Sequence, residues 1–356
     1  MSHGTLQNGA TSNGTRIGQN ATETVHLLFV GAPLLDISVK CDEETRRYYG
    51  LKSDDCILSR KEHDELFQQI FHNPESHLAA GGSAQNAARI AKWKLGPRGE
   101  VAFAGSTGCD DYETWMRSKL CADGVVPLYV KLPNDSTGLC ACLLSEEGER
   151  SMIARQGAAA LFLTEHLRTD LIRPYVGKSN CIFVEGYFIV HSPGVIFSFA
   201  EHRASSQIFS ISLSAEYVCR SHCAALMKVI PKVDVLFGNE AEVRALAEAI
   251  CKKDNLTVQE CVKLIHCIQI SEAVESRIFV VTRGSKPLIV AQGTEEHQTF
   301  TIDPVENVVD SVGCGDALAG AFLADYVTSR NISSAVKAGI EAATKILQVA
   351  GCDPPH

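Results

Sequence analysis

The chain has 356 residues, 45% hydrophobic and 21% charged, enough for one large α/β domain or a domain with a smaller appendage. Lys and Arg number 33 against 42 Asp and Glu, a net charge of −9, which excludes a basic surface holding nucleic acid through its phosphates. A locally bound phosphate stays compatible with that charge, because a helix start or a few side chains suffice to hold one.

In chain order, Ser2 to about Thr24 is rich in Asn, Gly, Thr and Ser and predicts a flexible tail over residues 1–24. From Val25 the chain reads strand (Val25 to Gly31), strand (Val101 to Gly105), helix (Tyr112 to Ala122) and strand (Val125 to Val130). Cys181 to Val184, Ile208 to Leu213, Val233 to Phe237 and Ile278 to Val281 are short β-branched and aromatic runs, each followed by a helical pattern, as buried parallel strands require. The alternation predicts an α/β fold with a doubly wound, mostly parallel sheet. Two stretches break it: Ile37 to about Ala80, with an amphipathic helix near Lys61 to His72, and Thr137 to Ala154, a hairpin turning at Glu146-Glu147-Gly148. They predict an antiparallel lid (37–80 and 134–155) over a large domain (25–36, 81–133 and 156–356), at the carboxyl edge where ligands of open α/β sheets bind.

The 14 cysteines include no CxxC pair, and Cys140 and Cys142 fall on one face of a strand. With no charged-then-apolar leader at Met1, reduced and buried thiols in the cytoplasm, or the nucleus, are expected. Apolar stretches are broken by Glu185, Lys228, Pro231 or Asp234, short of the roughly 20 residues a membrane helix needs.

Chemistry concentrates in a few motifs. In Asp310 to Phe322, Gly313 and Gly315 flank Cys314 just where a helix starts, so that N–H groups there collect an anion's charge while the Asp316 carboxylate beside them takes a proton. The plainer reading makes Asp316 a helix cap. In Ala80 to Ala91, Gly81 and Gly82 admit a ligand close to the backbone, Ser83 caps a helix and Asn86 lies one turn in; a polyol site or a capped packing helix both fit. Asp36, at the end of the first strand, bridges two hydroxyls or caps a turn. Asn239 and Glu242, three apart, order water around Mg²⁺ or close a capping box. Thr282-Arg283-Gly284 ends a strand beside a nucleotide or forms a turn.

Joined and ordered, these motifs resemble the ribokinase-like, PfkB-type carbohydrate kinases over roughly residues 25 to 352. Within that family the resemblance is to the branch that phosphorylates the nucleoside adenosine. It is carried by Pro33-Leu34-Leu35-Asp36-Ile37-Ser38, Ala80 to Asn86 with Trp93, Ser136 to Cys142, Leu213-Ser214-Ala215, Asp234 to Glu240 and Ala350-Gly351-Cys352. The resemblance implies ATP as donor, Mg²⁺ served by Asn239 and Glu242, and adenosine as acceptor in a monomer. Asp316 would be the base on the 5′-hydroxyl, with Gly313, Cys314 and Gly315 as anion hole and Arg150 near the transferred phosphate. Asp36, Gly82 and Asn86, beside Gly81, would hold the ribose hydroxyls. Leu34, Ser83, Cys140, Met152, Ala154 and Tyr187 would surround the purine, with Leu58 from the lid, and Thr282, Arg283 and Gly284 would border the nucleotide. Four positions depart from the branch's pattern: Ala32 and Val312 stand where Asn is usual, Cys314 where Ala is, and Val305 in about the place of a Gln. A sibling kinase for another nucleoside or sugar, or a catalytically silent nucleoside binder, are the alternatives.

Overall fold

A computed structural model describes residues 24–51, 56–144, 150–293, 297–349 and 351–355. The expected tail, save Thr24, and the Glu146-Glu147-Gly148 turn lie outside the described residues.

Strands β1 (Val25–Val30), β2 (Leu34–Lys40), β3 (Cys56–Leu58), β4 (His77–Gly81), β5 (Gly99–Thr107), β6 (Val125–Lys131), β7 (Gly138–Leu144), β8 (Arg150–Arg155), β9 (Cys181–Val184), β10 (Ile208–Ser212), β11 (Val235–Asn239), β12 (Ile278–Thr282), β13 (Leu288–Gln292) and β14 (Gln298–Phe300) form two sheets. The larger has the order β14-β13-β12-β11-β10-β9-β1-β5-β6 and is parallel from β12 to β6, with β13 and β14 antiparallel at one edge. Because it is covered on both faces, alternate residues of one strand enter different cores: Leu27 and Phe29 of β1 pack to one side, Leu28 and Val30 to the other.

The smaller sheet, β3-β8-β7-β2-β4, corrects two expectations. It is mixed rather than antiparallel, because β2 and β7, and β3 and β8, come from separate chain segments running the same way. Asp36 sits on β2 within this sheet, not at the end of the first strand, since the chain leaves the large sheet after Val30. The helical reading near Lys61 to His72 is a 3₁₀ turn (Lys61–His63) leading into an α-helix (Asp64–His72), and a further helix, Glu43–Tyr48, is capped by Asp42. The thiols are not uniformly buried: Cys181, Cys219, Cys261 and Cys352 are, whereas Cys109, Cys121 and Cys267 are exposed.

Two helices bring the sequence motifs together. Ser83–Leu95 and Cys314–Ser329 cross so closely that a Cβ on Gly320 would lie 2.2 Å from the Ala87 carbonyl oxygen. Small residues make the contact: Ala317 and Ala321 pack with Ile90, Ala342 and Ile346. Arg89, wholly buried on the first helix, donates to Asp123 at 2.6 Å, to Asp353, and to the Ala80 and Cys352 carbonyls at 3.1 and 3.2 Å. One guanidinium thus ties the smaller sheet and the C-terminal segment to the helix. A Gly320→Ala substitution must force the helices apart against backbone, so it should cost about 1–3 kcal/mol, read as a lower denaturant midpoint at unchanged slope.

Candidate active site

Parallel strands end in a common crevice, and here the carboxyl ends of β9 to β12 open into a cavity of about 400 Å³. Asp36, Leu34 and Cys140 reach it from the smaller sheet, and Gly82, Ser83 and Asn86 from the first helix start. Tyr187, Asn239, Glu242 and Asp316 complete it from the large sheet's side. A second cavity of about 460 Å³, mostly apolar, lies between residues 302–308 and the helix Ile332–Ile346. The two share Thr282, Gly315 and Leu318, so they meet at the start of the Cys314–Ser329 helix.

At that junction Gly313 is the N-cap, with φ 78, a left-handed conformation that favours glycine. The Cys314 N–H is spent on a turn to Ser311 at 3.4 Å, leaving Gly315 and Asp316 with first-turn N–H groups that have no intrahelical acceptor. A Cβ at Gly315 would meet nothing within 4 Å, so its absence keeps the passage between the cavities wide.

Asp316 is not a cap. Its carboxylate accepts from Ser83 Oγ at 2.6 Å and Asn86 Nδ2 at 3.0 Å. Ser83 correspondingly does not cap its helix; Gly82, φ 94, is the N-cap, freeing the hydroxyl to turn to Asp316. Burial pushes the Asp316 carboxyl up to about 6, against the lowering effect of those two bonds. Asp36 is pushed up to about 7 by burial, with the Asp316 charge adding and Arg89 opposing. Its carboxylate lies across Gly81, where a Cβ would be 2.0 Å from Oδ2.

Asn239 and Glu242 form a full capping box: Asn239 Oδ1 accepts from the Glu242 N–H at 2.9 Å, while Glu242 accepts from the Asn239 N–H at 2.9 Å and from Nδ2 at 2.8 Å. Both still line the first cavity, so the capping box leaves them facing it. Burial lifts Glu242 to about 7, with Asp316 and Glu216 adding to it. Neither cavity has a Lys or Arg among the described residues lining it, which leaves its carboxylates without cations.

Thr282 and Gly284 line the second cavity, but Arg283 turns away and donates from Nε to Glu240 at 2.9 Å, because that carboxylate stands beside it at the next helix start. Met152 and Ala154 pair with Cys142 and Cys140 and lie outside the lining of the first cavity. Leu58 and Arg150 are placed by their backbone alone, on β3 and β8. Of the departing positions, Val312 lines the first cavity and Val305 and Cys314 the second.

Sequence reading missed Phe183, Phe237, Ser212 and Ser214 in the first cavity, although the strands that end there were legible. It also missed Glu185, buried beneath that cavity, whose only signal was a carboxylate directly after an apolar strand. Ser214 holds φ 67, unusual without glycine, and its Oγ accepts from the Gly186 N–H at 2.8 Å.

The parallel sheet, the smaller mixed sheet at its carboxyl edge and a glycine-capped helix start between two cavities define a ribokinase-like α/β protein. A model of the pfkB family of carbohydrate kinases matches residues 48–356, and the chain belongs to that family. It is 32% identical over 333 residues to adenosine kinase 1 of Arabidopsis thaliana, covering 93% of this chain and 96% of that protein. Adenosine kinase of Anopheles gambiae in complex with P1,P4-di(adenosine-5) tetraphosphate superposes with a TM-score of 0.80 at 32% identity, covering 92% of this chain and 96% of that one. That of Schistosoma mansoni with 2-fluoroadenosine gives 0.81 at 25% identity, with 92% and 96% covered.

Asp36, Glu185, Glu242 and Asp316 are all harder to ionise here than in an unfolded chain. The folded state therefore holds the extra protons, and stability is lost as pH rises through about 7. His166, His191 and His266, lowered by burial, oppose this only near and below their ordinary value of 6.5. The ligand-free protein should melt roughly 1–2 °C higher near pH 6.5 than near pH 8; a flat profile across that interval in calorimetry would show the carboxyls to be solvated.

Proposed function

We propose that this protein is an ATP-dependent nucleoside kinase that phosphorylates the 5′-hydroxyl of adenosine, giving AMP and ADP in purine salvage. One observation carries the reading: a half-buried carboxylate, Asp316, stands where two cavities meet at a helix start. The first cavity takes the nucleoside, with Asp36 and Asn86 facing the ribose and Leu34, Cys140 and Tyr187 around the base. The second takes the donor's adenine against apolar walls such as Ile302, Val305 and Leu347.

The acceptor oxygen attacks the γ-phosphorus, the bond from that phosphorus to the ADP oxygen breaks, and the hydroxyl proton passes to Asp316. With its carboxyl at about 6, Asp316 is ionised at neutral pH and only weakly solvated, as a base requires. The orphan N–H groups at Gly315 and Asp316 meet the charge on the transferring group. Segments 37–80 and 134–155 act as the lid that excludes water, carrying Arg150 and Leu58 toward the site.

Glu242 and Asn239 fit a hydrated Mg²⁺: a carboxylate and an amide, hard oxygen donors, the former buried without a cationic partner and lifted toward neutrality. The ion would supply charge neutralisation at the donor phosphates. The protein works as a cytoplasmic or nuclear monomer.

An acceptor panel of adenosine, inosine, guanosine, ribose and fructose with Mg²⁺ and ATP should give the highest kcat/KM for adenosine; preference for another acceptor assigns the sibling activity, and no turnover with any assigns the silent binder. Asp316→Asn should lower kcat by about 10³-fold or more while calorimetry still detects nucleoside binding. Near-normal turnover in that variant removes Asp316 from the base role.

A further inference from the structure

Glu185 belongs to neither cavity wall, yet it is 1% exposed and touches the two segments that shape the first one. It follows β9 directly, its own N–H donating to Val30 O at 3.2 Å. Oε1 accepts from the Ala32 N–H at 2.9 Å, in the link from β1 to β2. Oε2 accepts from the Ala84 N–H at 2.9 Å, in the first turn of the helix whose Ser83 and Asn86 hold Asp316. The fit is close on every side: a Cβ at Gly31 would lie 2.4 Å from Glu185 Oε2 and 2.5 Å from Ala84 Cβ, and one at Gly82 would lie 2.2 Å from the Ala32 carbonyl oxygen. No Lys or Arg pairs with Glu185 among the described residues; two amide donors and the positive end of the helix hold its charge.

We propose that Glu185 is a positioning residue for phosphoryl transfer: its carboxylate clamps the β1–β2 link to the start of the Ser83–Leu95 helix and so sets where Ser83 and Asn86 hold Asp316. The inference rests on Asp316 acting as the base. The ionised carboxylate offers each amide a full, charge-assisted acceptor oxygen; once protonated, its hydroxyl oxygen is the weaker acceptor and both bonds lose the charge that strengthens them. Burial lifts Glu185 to about 7, with the Asp316 charge adding, so the clamp loosens in the same range in which the base is neutralised. The titratable groups coupled to it are Asp316, on the Cys314–Ser329 helix, and Tyr187, two residues along its own chain.

Glu185→Gln keeps the shape but replaces one acceptor by an amide donor. It should lower kcat about tenfold or more, leave the KM for ATP within about threefold, and move the acid limb of kcat to lower pH by about half a unit, because Asp316 alone then titrates. Glu185→Asp keeps the charge and shortens the reach, so kcat should fall by about threefold or more with the acid limb unmoved. Unchanged kcat and pH profile in Glu185→Gln overturns the proposal, as does failure of both variants to fold, which would make Glu185 a folding residue only. If the unsubstituted protein turns over no acceptor, the kinase reading itself fails; if it does and the variants behave like it, the clamp alone fails.

Discussion

The centre of this protein depends on how closely two helices approach. Gly320 and Ala87 bring the backbones of Cys314–Ser329 and Ser83–Leu95 to a separation that leaves no room for a methyl group between them. One turn N-terminal of that crossing, Asp316 faces Ser83 and Asn86, residues 233 and 230 positions away in the chain. A larger residue at the crossing would swing the helix starts apart, and a 2.6 Å hydrogen bond tolerates little of that. The small-residue contact is therefore a condition for the carboxylate's geometry as well as for packing.

The same closeness sets the electrostatics. Asp36, Glu185, Glu242 and Asp316 converge where strand ends and helix starts meet, and burial raises each of them. In a folding ledger such a cluster is a cost, and its persistence is characteristic of a site whose ligands complete it. Arg89, which is committed to Asp123 and Asp353, opposes the rise of Asp36 less than burial and the Asp316 charge promote it. What the helix start between the cavities offers an anion is its first-turn backbone N–H groups, since no arginine or lysine stands among the described residues lining either cavity. The net charge of −9 sets no obstacle, because the attraction is local.

The departing positions acquire meaning in the same way. Ala32 offers no side-chain group, and its N–H is engaged by Glu185, a carboxylate 153 residues downstream that the strand order β9-β1 brings alongside. Polar organisation beside the first cavity thus comes from the residue after β9 rather than from the first loop. Val312 and Val305 place apolar surface in each cavity and leave the helix start between them unchanged.

Strand runs such as Cys181–Val184, the Gly-Gly and Gly-Cys-Gly motifs and the Asn239–Glu242 pair were all legible in the sequence, because each is a local pattern of periodicity, clearance or capping. Those patterns are enough to determine α/β wiring, the family and the identity of the carboxylate at the helix start. They do not determine direction: Arg283 lies in a readable turn yet points to Glu240, and Ser83 stands at a readable helix start yet bonds to Asp316 instead of capping it. The mixed pairing of the smaller sheet, the meeting of the two cavities at Gly315 and the clamp made by Glu185 were decided only by tertiary structure. The parallel pairs Leu34–Gly138 and Cys56–Met152 and the bonds of Glu185 to Ala32 and Ala84 join segments far apart in the chain, and such contacts depend on strand order and helix crossing, which no local window of sequence encodes.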